Sequence, residues 1–115
     1  MKPILWLFDS RDILRDFPEE VRFEAGYSLF EIQKGETPEN TKPLRGLGKD
    51  IHGIYEIIVD HDKETYRVVY IAKLKKGVYV LSAFHKKSKA GIGIPPKDKD
   101  LIISRYKEAL ARDTT

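Results

Sequence analysis

The chain contains no cysteine. That absence excludes disulfides and thiolate metal sites. No apolar run approaches the roughly 18 residues that a membrane-spanning helix needs, so no membrane partner is expected. The opening MKPILWLFDSRD is a short apolar burst stopped by Asp9. It lacks the long apolar region and cleavage-type ending of a signal peptide, and the expected compartment is the cytoplasm. Familiar catalytic signatures are missing too. None of His52, His61 and His85 lies in an HExxH context, so no metal site and no cofactor are expected. GLGKD at 46–50 is too short for a phosphate-binding Walker loop, GIGIPP at 91–96 is not a dinucleotide fingerprint, and there is no G-x-S-x-G elbow. Glu19 and Glu20 are paired carboxylates, but they open a helix, where the dipole explains them.

What the chain does have is enough apolar material for one core and a lopsided charge. Its 115 residues fit one domain, 1–115, with 41% hydrophobic and 34% charged residues. Residues 1–60 carry 8 Lys and Arg against 12 Asp and Glu, whereas residues 61–115 carry 13 against 6. A basic half of this kind suits an anionic partner, although solvated lysines alone would give the same count.

Periodicity predicts the elements. Lys2–Phe8 reads as a strand. Asp9 and Ser10 offer N-cap oxygens to a brief helix through Ile13, Leu14 and Phe17, which Pro18 ends. From Glu19 to Lys34, Val21, Ala25, Leu29 and Ile32 make one helical face; Phe23, Tyr27 and Phe30 widen it and are expected in the core. Gly35 suits the position after that helix. Residues 35–50 read as a loop. Ile51–Asp60, Thr65–Leu74 and Val78–Phe84 are rich in β-branched and aromatic residues, and their short links predict an antiparallel meander. A last helix over Lys97–Arg112 has a weaker stripe of Leu101, Ile102, Arg105 and Leu110. The expected fold is α+β in the order β-α-α-β-β-β-α. Four strands would form the sheet, with a helical pair on one face and the other face partly open.

Strand parity places Arg67 with Val69 and Ile71, and Tyr66 with Tyr70 on the opposite side. An arginine inside a hydrophobic strand must reach either solvent or an anion. His85, Lys86, Lys87 and Lys89 crowd the end of the last strand, and His85 and Lys87 would share a side if the strand continued that far. A cluster of cations without a metal fits one reaction class, attack by an RNA 2′-hydroxyl on the neighbouring phosphate. The substrate brings its nucleophile; the protein must stabilise phosphorane charge and move protons. Lysines beside other cations lose proton affinity, and arginine suits phosphate oxygens.

The stretches KPLRGLG (42–48), DHDKETYRVVY (60–70) and VYVLSAFHKKSKAGI (78–92) resemble the phage-related, HigB-like branch of the RelE/ParE toxin superfamily. The opening with its FPEEV helix resembles it as well. The resemblance implies a RelE-like fold and the toxin of a type II toxin–antitoxin pair, with a helix-turn-helix antitoxin as cognate partner. It also implies metal-independent endoribonuclease activity on translated mRNA at the ribosome. Carried over by position, Arg67, Lys86 and Lys87 would hold the phosphate, and Arg45 is the loop arginine; His85, at a position where many members of the branch carry another residue, would stand in to transfer a proton. Arg45, Lys89, Tyr66 and Tyr70 would contact RNA, with sheet core as the alternative for the tyrosines. The chain departs from the ribosome-dependent relatives in IYEIIVD, where Glu56 and Ile58 stand at lysine positions. Two other readings remain open: a non-enzymatic toxin that binds a protein such as DNA gyrase, and a sequence-tolerant RNA-binding module, whose affinity would fall steeply with salt.

Overall fold

The computed structural model describes residues 1–87 and 96–115, the side chains of 86 and 87 apart. Eight elements follow in order: β1 (Ile4–Trp6), α1 (Ser10–Arg15), α2 (Glu19–Gln33), β2 (Thr41–Pro43), β3 (Ile54–His61), β4 (Glu64–Ile71), β5 (Val78–Lys87) and α3 (Pro96–Asp113). Among the described residues no helix is long and apolar enough to cross a membrane.

The fold is α+β, as expected, but the sheet is mixed and has five strands in the order β1-β5-β4-β3-β2. The extra strand, β2, falls in the segment read as a loop. Three residues are too few to show an alternation, and Pro43 argues against a strand anywhere except an edge, which is where it sits. Flanking bonds extend the pairing: Ile58 N–H donates to Asn40 O at 2.8 Å and Leu44 N–H to Ile54 O at 2.8 Å. β1 runs parallel to β5, with Ile4 opposite Val78. Gly77 permits that approach, since a Cβ there would lie 2.6 Å from the Pro3 carbonyl oxygen. The β3–β4 hairpin turns through Asp62 and Lys63, both with positive φ, as a two-residue turn matched to strand twist requires. β5 runs three residues past its expected end, to Lys87.

The strands divide their side chains between two layers. On one face Ile57, Val59, Tyr66, Val68 and Tyr70 pack under Leu14 and Phe17, and under Val21, Ala25, Leu29 and Ile32 of α2. On the other, Ile54, Val69, Ile71, Tyr79 and Leu81 pack under Leu7, Leu47 and Ile102 and Ala109 of α3. This second face was expected to stay partly open; α3 and the 44–51 loop cover it. Each fully buried aliphatic side chain contributes roughly 1.5–3 kcal/mol.

Two expectations about helix faces fail. Phe23, Tyr27 and Phe30 are exposed, at 70%, 64% and 43%. The buried face of α2 is narrow enough for Val21, Ala25, Ser28, Leu29 and Ile32 to fill it. On α3, Leu101 and Leu110 are partly exposed, and Ile102, Ala109 and the aliphatic stem of Arg105 form the buried stripe. Nor does Asp9 cap α1 through its side chain. Its carboxylate bonds Arg105 Nη2 at 2.8 Å, and Ser10 Oγ donates to Val80 O at 3.2 Å.

Candidate functional site

The four residues expected to do chemistry fall at one end of the β4–β5 ladder. Arg67 stands opposite Phe84, Tyr66 opposite His85, Thr65 opposite Lys86 and Glu64 opposite Lys87. Phe84 to Lys87 spans about 10 Å of strand. The side chains of Lys86 and Lys87, and the whole of Lys89, lie outside the described residues.

Arg67 has found an anion within the protein. Its Nη1 donates to Glu56 Oε1 across the β3–β4 hairpin in a short ion pair. Glu56 is fully buried, while the Arg67 side chain keeps 18% exposure. The pair follows from register. Glu56 stands opposite Val69, two residues from Arg67, so the two charges are diagonal neighbours on one face. Among the described residues, Arg67 Nε has no hydrogen-bond partner, so part of the guanidinium fork is uncommitted.

His85 sits on the other face. Its side chain is about half exposed, its ring stacks on Tyr66 at 5.2 Å and meets Phe17 edge-on at 6.3 Å, and Nε2 lies 3.7 Å from Glu64 Oε1. The structure thus brings Arg67 and His85 to neighbouring rungs but sends their side chains to opposite faces. A phosphate gripped by both would have to lie around the end of the strands.

The tyrosines are core. Tyr66 packs edge-to-face with Phe17 at 4.9 Å, and Tyr70 stacks with Tyr55 at 6.0 Å. Burial first, then the Glu64 carboxylate, pushes the Tyr66 phenol up. Burial pushes Tyr70 up to about 12, against a smaller opposing effect of its bond with Thr41. Both phenols stay protonated near neutral pH and are poor proton acceptors. Arg45 is exposed in the loop after β2. Its neighbour Leu44 bonds Ile54, whereas Arg67 stands opposite Ile58. That sets the Arg45 backbone about 13 Å or more along the sheet from the Arg67 rung.

Sequence reasoning missed Glu56 as a member of this site and noted it only as a departure. The signal was present: an acid and a base flanked by apolar and aromatic residues, on strands joined by a two-residue turn. Counting from His61 opposite Glu64 puts them on the same face. Among the described residues, no group of three or more His, Asp or Glu side chains is placed to hold a metal ion.

The sequence model of the family described as "Phage derived protein Gp49-like (DUF891)" matches residues 12–107. Comparison with curated proteins gives no match.

Proposed function

The chain belongs to the Gp49-like family of phage-derived proteins, and from that premise we propose that it is the toxin of a toxin–antitoxin pair, acting as a metal-independent endoribonuclease on translated mRNA at the ribosome. Members of this family are often described as RelE/ParE-like toxins. The cognate partner in this reading is a small helix-turn-helix antitoxin. The observation that supports the catalytic part is that Arg67, His85, Lys86 and Lys87 stand on four consecutive rungs of one ladder, with Arg67 and His85 on opposite faces of it. In the reaction the 2′-oxygen attacks the adjacent phosphorus and the bond to the 5′-oxygen breaks. The 2′-hydroxyl proton passes to solvent water and another proton reaches the departing 5′-oxygen, leaving a 2′,3′-cyclic phosphate and a free 5′-hydroxyl. Arg67 and the two lysines offset charge on the phosphorane, and His85 supplies the proton.

The test compares mRNA cleavage, with and without ribosomes, and growth arrest between wild type and variants. His85→Ala is expected to lower cleavage by about 10²–10⁴-fold. Lys87→Ala is expected to lower it by about 10²-fold or more. Arg67 is tied to a buried carboxylate, so its role is tested in the double variant Glu56→Met/Arg67→Met, which removes both charges together. Growth arrest equal to the parent in all three variants rejects the assignment.

One observation favours a second reading, a non-enzymatic toxin directed at a protein such as DNA gyrase. Glu56 already balances the Arg67 charge, and His85 faces away from it. Gyrase inhibition with intact cellular mRNA decides for that reading.

A further inference from the structure

Helix α2 shows two faces that differ in kind. Val21, Ala25, Leu29 and Ile32 are buried against the sheet. On the outside, Phe23, Tyr27 and Phe30 form an exposed aromatic stripe at spacings of four and three. Three large rings on one solvent-facing helix surface are the kind of contiguous apolar patch that marks an interaction site. A helix advances about 100° per residue, which puts Glu20, Glu24 and Glu31 within about 40° of one another along a single flank of the stripe. Glu20 is 81% exposed although its Oε2 lies 3.3 Å from His61 Nδ1, Glu24 Oε2 accepts from Asn40 Nδ2 at 3.2 Å at the surface, and the net charge of α2 is acidic, with four glutamates against one arginine. At its C-terminal end Lys34 Nζ already rests 4.8 Å over the Phe30 ring, so a cation is a compatible neighbour for this surface.

We propose that this surface docks a partner-protein helix that carries apolar residues at matching spacing and lysine or arginine along one flank. The charges select this occupant over a second copy of the chain. Two copies of α2 related by an antiparallel two-fold axis would bring the same flank of each helix together, glutamates against glutamates. A basic flank meets them with the opposite sign and fixes the partner's register. The rings supply large, rigid anchors of the kind that dominate protein interfaces. This inference uses only the rings and charges of α2 and does not depend on the ribonuclease reading; under the toxin reading, the antitoxin is the protein that would carry such a helix.

The experiment selects from a displayed library of helices against the whole protein. The library fixes leucine at three positions spaced four and three and randomises both flanks among lysine, glutamate and serine. The expected result is enrichment of lysine on one flank. Binding of the enriched helix should weaken with added salt. It should also fall about 30-fold or more on the folded variant Phe23→Ser/Tyr27→Ser, as loss of interface anchors predicts. Enrichment of serine or glutamate, no enrichment, or equal binding to the variant overturns the proposal. So does sedimentation showing a wild-type dimer that the same double substitution dissolves, because the stripe would then be a self-interface.

Discussion

The two faces of the sheet are built on different principles. Beneath α1 and α2 the interior is rings and aliphatics: Phe17 against Tyr66, Tyr55 against Tyr70, and Ile57 and Val68 between them. Beneath α3 the same strands bury charge. Among the described residues the two buried ionisable acid and base side chains, Glu56 and Arg105, both belong to this face, and the less buried Arg67 lies beside Glu56. An apolar interior gains stability from every contact and tolerates partial loss. A charged interior stands only while its partners stay together, because desolvation is offset by pairing and by little else. The α3 face is therefore the fragile one, and it is also where an arginine with part of its fork uncommitted sits.

The largest expected effects break that contrast at Glu56 and Arg67. Arg67→Ala takes the guanidinium from a carboxylate with no solvent access and is expected to cost about 4 kcal/mol. Glu56→Ala leaves an arginine that retains a path to water and is expected to cost less, about 3 kcal/mol. Urea denaturation of the two variants measures the order. The double variant Glu56→Met/Arg67→Met should recover most of the loss, since similar-sized apolar pairs replace buried ion pairs at little cost. If the double variant is as unstable as Arg67→Ala alone, the face is not held by charge pairing. The apolar side supplies the control. Leu29→Ala, on α2, should cost about 3 kcal/mol through lost burial and a cavity.

The same contrast separates what the sequence disclosed from what it did not. The apolar face was legible, because Val21, Ala25, Leu29 and Ile32 repeat at helical spacing and Tyr66, Val68 and Tyr70 alternate. The meander was legible from its short links. β2 was not, because its three residues hold a lysine and a proline and owe their conformation to β3. The exposed rings of α2 were misread because aromatics at helical spacing signal an amphipathic stripe without saying which layer it faces. Within the candidate site, the sequence marked Arg67, His85 and the lysines as one cluster along the chain. It could not show that His85 and Arg67 leave the sheet on opposite sides, since that depended on how far β5 continues. The partner of Arg67 lay eleven residues upstream, in a strand whose register had to be worked out before the pair became visible.

A smaller test on the α3 face concerns Arg105. Its Nη1 donates to Leu81 O at 2.8 Å, at the point where β5 slips register against β4, and Nη2 reaches Asp9. A bulge takes a residue out of the one-to-one ladder, and the guanidinium satisfies its carbonyl. Arg105→Met should cost about 2 kcal/mol, the worth of a charged hydrogen bond to a buried acceptor. Asp9→Asn should cost about 0.5 kcal/mol, because Asp9 is mostly exposed and its pair is screened. Equal losses for the two would mean that the ion pair, not the carbonyl, is what Arg105 serves.

The smallest effect belongs to Asp113, at the last turn of α3. A carboxylate there opposes the helix dipole, so something local must outweigh that. It accepts from the backbone N–H groups of Lys75 at 3.0 Å and Lys76 at 2.8 Å, and from the Tyr79 hydroxyl at 3.2 Å. Those backbone bonds, chiefly, hold its carboxyl below the ordinary aspartate range. With the folded-state affinity for protons lowered, the ionised group contributes stability that is complete above the unfolded value of about 3.9 and disappears as pH falls through the folded value. Asp113→Asn should therefore lower Tm slightly at pH 7. The gap to wild type should stay constant down to about pH 4 and close below it. Thermal melts followed by circular dichroism at pH 7, 5, 4, 3 and 2 read this directly. A gap that persists unchanged at pH 2 would assign the clasp between α3 and the β4–β5 turn to the shape of the side chain rather than to its charge.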